Sequence, residues 1–89
     1  MKEAFKKYLI DRGYKYVTPS GNPSTVDDYC NRVDRITAEE NLTWQELAER
    51  IDDILPYYDK GGRKQYIGEK SHRSFINALK RFSEFVKSL

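Results

Sequence analysis

The sequence predicts an all-α domain of four helices. Apolar residues recur at helical spacing in four segments, and no segment alternates as a strand would. Residues that start and stop helices bracket those segments. A chain of 89 residues is one domain, residues 1–89, with a single modest core.

The first helix covers about 2–12, with Phe5, Tyr8 and Leu9 on one face and Gly13 placed to end it. The following "YKYVTPSGNP" holds two prolines and two turn-formers and reads as a loop, from which Tyr14, Tyr16 and Val17 can fold back onto the core. Ser24 starts the second helix: its hydroxyl can accept from an unpaired backbone N–H, and Asp27 and Asp28 suit the positive end of the helix dipole. Val26, Tyr29, Cys30, Val33 and Ile36 form its apolar stripe, which makes Cys30 a core residue.

The third start is the best defined. "LTWQEL" offers Thr43 as N-cap, Glu46 as capping-box partner, and Leu42 with Leu47 as a hydrophobic staple. Trp44, Leu47, Ala48, Ile51, Ile54 and Leu55 give the buried face, and Pro56 is expected to stop the helix at or near that point. "YYDKGGRKQYIGEK" then reads as an exposed, mobile basic loop. The fourth helix runs from about Ser71, with Phe75, Ile76, Leu79, Phe82 and Val86 facing the core and Phe85 flanking them.

Composition narrows the function. One cysteine precludes an internal disulfide, and with one histidine the ligands of a closed zinc site are missing. No apolar run reaches the roughly 20 residues of a membrane span, and the N-terminus lacks a signal-peptide core, so a cytoplasmic protein is expected. The net charge of +2 is unevenly spread. Residues 1–16 carry five basic and two acidic side chains, residues 17–59 three and ten, and residues 60–89 eight and two. Basic ends around an acidic middle suit a polyanion binder if the ends meet, or simply solvated charge on amphipathic helices.

Three constellations are candidates for chemistry. The pairs Asp27–Asp28, Glu39–Glu40 and Asp52–Asp53 are sequence neighbours that point apart on a helix, so they read as solvated faces and not as an acid–base pair. "DKGGRK" lacks the spacing of a phosphate loop and has no strand before it. Its Arg63 and Lys64 are instead placed to touch a nucleic-acid backbone. His72–Arg73, in "KSHRSFINALKRF", has no evident nucleophile and orienting group for catalysis. As a DNA contact it reads better, because a helix N-terminus attracts phosphate. Lys70, Arg73 and Asn77 fall at i, i+3 and i+7 on one helical face, where Arg can read guanine and Asn adenine. A solvated basic helix start is the plain alternative.

The segments "FKKYLIDRG", "NPSTVDDY", "LTWQELAERIDDIL" and "SHRSFINALKRFSEFV" together resemble the N-terminal core-binding domain of tyrosine recombinases (phage-type integrases) over nearly the whole chain. The resemblance implies a SAM-like, four-helix orthogonal bundle. It also implies duplex-DNA binding through the starts of helices two and four, with basic residues of helix one nearby. Here those positions are Ser24 and Thr25, then Lys70, Ser71, His72, Arg73 and Asn77, with Lys80 and Arg81 further along. The family's catalytic Arg, His-x-x-Arg and Tyr belong to a following domain, and "HRSF" lacks the His-x-x-Arg spacing. The expectation is therefore a non-enzymatic DNA-binding domain without cofactor, metal or small-molecule substrate. It would be either part of a recombinase, partnered by the catalytic domain, or a stand-alone protein. The alternative is a helical protein-interaction module of a phage or mobile element, offering the acidic middle to a host protein.

Overall fold

Capped helix starts are where the sequence reading and the structure agree best. The structure is a computed structural model that describes residues 1–16 and 24–89. It contains α1 (Lys2–Asp11), α2 (Thr25–Glu40), α3 (Trp44–Glu49), α4 (Ile51–Tyr58), α5 (Gln65–Gly68) and α6 (Lys70–Lys87), and no strand among the described residues. Ser24 caps α2 by accepting from the Asp27 N–H, and Thr43 and Glu46 cap α3 reciprocally, as a capping box requires. The predicted loop at 14–23, with Val17, lies outside the described residues from 17 to 23. Of its described part, Tyr14 packs on Tyr29 with ring centroids 5.8 Å apart, and Tyr16 is exposed.

α6 touches all five other helices and forms the centre of the bundle. Phe82 meets Phe5 and Trp44 edge-on, at 5.3 and 5.4 Å between centroids. Such crossings favour aromatic quadrupoles beyond the area they bury. Phe85 is buried beside them and Val86 only half-buried, the reverse of the roles the periodicity assigned.

Three expectations are corrected. The third predicted helix is divided at Arg50, whose φ of −113° and ψ of 14° separate α3 from α4. Pro56 lies inside α4, which ends two residues beyond it at Tyr58. Proline inside a helix costs roughly 3 kcal/mol. Fully burying a side chain of this size is worth about 1.5–3 kcal/mol, and the Tyr58 hydroxyl bond to the Glu40 carboxylate adds about 1.5–3. Tyr58 is fully buried, so the extra turn is favourable.

The supposedly mobile loop is closely seated. The Lys64 N–H donates to the Tyr57 carbonyl (2.7 Å), and α5 places Gly68 directly against the Tyr58 carbonyl. A Cβ at Gly62 would lie 2.1 Å from the Pro56 oxygen, and one at Gly68 1.9 Å from the Tyr58 oxygen. Glycine is what lets the chain fold back onto its own helix here.

The fourth predicted helix is also interrupted. Ser71, His72 and Arg73 all have left-handed φ, at 54°, 57° and 66°. Right-handed helix resumes at Ser74. A left-handed turn costs about 1–2 kcal/mol per non-glycine residue. It is clamped between buried Gly68 on one side and buried Ser74, Phe75 and Ile76 on the other.

Candidate nucleic-acid interface

The left-handed turn decides where the predicted DNA-contacting side chains stand. Lys70, Arg73 and Asn77 share a face only on an unbroken right-handed helix, so their common face is overturned. Lys70, Ser71, His72 and Arg73 are exposed on the turn, whereas Asn77 is half-buried on the right-handed part. There Asn77, Lys80 and Arg81 are neighbours at i, i+3 and i+4. Lys80 lies 3.9 Å from Asp59, and Arg81 grips Glu84 with Nε and Nη2 (2.8 Å each), so this strip is largely neutralised.

At the far end of α2, Ser24 is only 2% exposed and its hydroxyl is occupied in the cap. Thr25 beside it is half-buried. It lies seven residues from Arg32, about 10 Å along the helix axis.

Arg63 and Lys64 form a separate group. The Arg63 guanidinium stacks 4.1 Å from the Tyr57 ring centroid, and the Lys64 ammonium donates to Glu40 Oε2 (2.6 Å). The Tyr58 hydroxyl donates to that same oxygen (2.6 Å). Burial raises the Glu40 carboxyl, but its bonds to Lys64 and Tyr58 outweigh this and hold it below the usual carboxylate range. The bond to Glu40 in turn raises the pKa of the Lys64 ammonium. Lys64 is thus a structural cation committed to Glu40.

A basic recess was not anticipated. A cleft of about 220 Å³ opens between α2 and the left-handed turn, lined by Arg32, Arg35, Ile36, Glu39, Ile67, Lys70, Ser71 and Phe75. Arg32 Nε–H donates to Ser74 Oγ (2.9 Å), and its guanidinium carbon lies 4.9 Å from the Phe75 centroid. Arg35 stands 6.0 Å from the same centroid and has no ion-pair partner among the described residues. Glu39, the cleft's one carboxylate, lies 3.6 Å from Lys64. Arg32 and Arg35 at i and i+3 are the only basic residues of α2, a signal legible in the sequence. It was masked by the acidic balance of the segment around them.

His72, exposed on the turn, makes no side-chain hydrogen bond among the described residues. Cys30 is buried in the core, and burial pushes its thiol up to about 11. No group of three potential metal ligands gathers among the described residues, and none of their helices is long and apolar enough to cross a membrane. No protein-family model, curated protein or solved structure matches this chain.

Proposed function

We propose that this chain is a non-catalytic domain that binds duplex DNA. Its bundle would be a SAM-like relative of the core-binding domains of tyrosine recombinases. One observation carries the reading. Arg32, Arg35 and Lys70 converge on one cleft, and Arg73 stands two residues beyond its Ser71. Glu39 is the only acid among the lining residues. The helix-four start inferred from the sequence contributes Lys70 to Arg73, and α2 contributes through its middle arginines more than through Ser24. The mechanism is phosphate neutralisation with counterion release, to which His72 adds a polar backbone contact.

The test is equilibrium binding to duplex DNA as a function of salt. Affinity should fall steeply with salt, and Lys70→Ala with Arg73→Ala should weaken binding while the helical circular-dichroism signal is kept. Absence of binding at about 50 mM salt, where electrostatic contacts are strong, rejects the reading.

A further inference from the structure

We propose that the cleft between α2 and the left-handed turn seats a single phosphate group, held jointly by Arg32, Arg35 and Lys70. This deepens the DNA reading and rests on it only for the source of the phosphate.

Size selects a small ligand. About 220 Å³ falls below the roughly 300–1,000 Å³ of sites for drug-sized molecules. It still holds a phosphate with a few waters, each of which needs about 30 Å³.

Charge selects an anion. Three cations and one carboxylate line the cleft; Arg32 is paired with Asp28 and Glu39 lies 3.6 Å from Lys64, which leaves Arg35 and Lys70 without ion-pair partners among the described residues. Two guanidinium groups beside one Phe75 ring repel each other, and an anion between them relieves the repulsion.

Geometry selects phosphate over carboxylate. Arg32 is held in advance, with Nε on Ser74 Oγ and Nη2 3.4 Å from Asp28. Arginine presents its donors in a rigid fork that matches phosphate oxygens. Donors arriving from α2 and from Lys70 approach from two elements, which suits a tetrahedral group better than a planar one.

The phosphate is either a backbone phosphodiester of duplex DNA or a free phosphomonoester. The experiment pairs two measurements on the full chain. The first follows the Arg Nε–H signals by NMR during titration with inorganic phosphate. The second is the salt slope of binding to a duplex with hydroxyl ends. Arg35→Gln/Lys70→Gln is the variant, because neither side chain has a hydrogen bond or ion pair among the described residues. Lys70→Gln alone serves if the double variant melts early.

Phosphate should shift the Arg32 and Arg35 signals of the wild type, and the Arg32 signal of the double variant should stay still. The double variant should lower the salt slope by about 0.9, the value for one phosphate, although it removes two cations. An unchanged slope, or a drop twice as large, overturns the single seat while duplex binding stands. Wild-type signals that ignore phosphate overturn it too. If phosphate shifts them while duplex fails to bind at low salt, the seat stands, the DNA reading falls, and a phosphomonoester is the ligand.

Discussion

Gly68→Ala tests the contact that seats α5 and, through it, one wall of the cleft. The added Cβ would lie 1.9 Å from the Tyr58 carbonyl oxygen and 2.9 Å from its carbon. Contacts under 3.0 Å are essentially never adopted, so helix and carbonyl must part by roughly 1 Å or more. The obstacle is backbone and cannot rotate away as a side chain would. Moving it disturbs the fully buried Tyr58 ring and its hydroxyl bond to Glu40. Overpacking costs about 1–3 kcal/mol, and a weakened bond to a charged group about 1.5–3. Alanine's better helix propensity returns about 1. A net loss of about 1.5–5 kcal/mol follows, and for a domain of this size each kcal/mol lowers Tm by about 4–8 °C.

The assay is thermal and urea unfolding followed by far-UV circular dichroism, with Gly13→Ala and Gly61→Ala alongside. Those glycines have φ of +90° and +86° and open space around them, so their variants suffer left-handed strain alone, about 1–2 kcal/mol. Gly68→Ala should therefore be the least stable of the three. A Gly68→Ala protein as stable as wild type would refute the close seating of α5 on α4.

Two further perturbations address the same junction. Glu40 is held below its unfolded value of about 4.3, so its contribution is present above that pH and is lost as pH falls through the folded value. Wild type should lose more stability than Glu40→Gln between about pH 6 and 3, and parallel urea-stability profiles would contradict the Lys64–Glu40–Tyr58 bonding. Glycine at Ser71, His72 or Arg73 should be neutral or stabilising by up to about 1 kcal/mol, since glycine tolerates positive φ. Asn77→Gly, on right-handed helix, should cost roughly 0.3 kcal/mol in helix propensity, and equal losses at all four positions would show that the turn is not left-handed.

Local chemistry was legible in the sequence, and the contacts between distant segments were not. Ser24, Thr43 and Glu46 act within three residues of themselves, so their caps could be read directly. The stripe from Val26 to Ile36 likewise follows from periodicity, apart from half-buried Tyr29. Tyr58 was misplaced because its burial depends on Glu40, eighteen residues away, and outweighs the helix-breaking tendency of Pro56. The turn at 71–73 carries no glycine or asparagine to announce it. It is imposed by the packing of Gly68 before it and Phe75 after it, and so Arg32 and Arg35 could not be matched with Lys70 from sequence alone.

The charge blocks show why this matters for function. Basic ends and an acidic middle suggest a positive face, yet the fold sets many of these charges against each other. Lys2 pairs with Asp34, Lys64 with Glu40, Lys80 with Asp59 and Lys87 with Asp52, each joining a basic end segment to the acidic middle. Apart from the part-buried Lys64–Glu40 pair, such surface pairs add little stability, about 0–1 kcal/mol each. Their larger effect is to remove cations from the surface field. What remains for a polyanion is the unpaired remainder, and at the cleft it includes Arg35, which comes from the acidic segment itself. Reversing Asp59 or Asp52 to lysine should therefore strengthen duplex binding by freeing Lys80 or Lys87 as well as by adding charge. Reversing Glu39 should strengthen it more, because it is the only acidic residue lining the cleft. Equal gains at all three positions, measured at one salt concentration, would mean that net charge governs binding and the cleft does not.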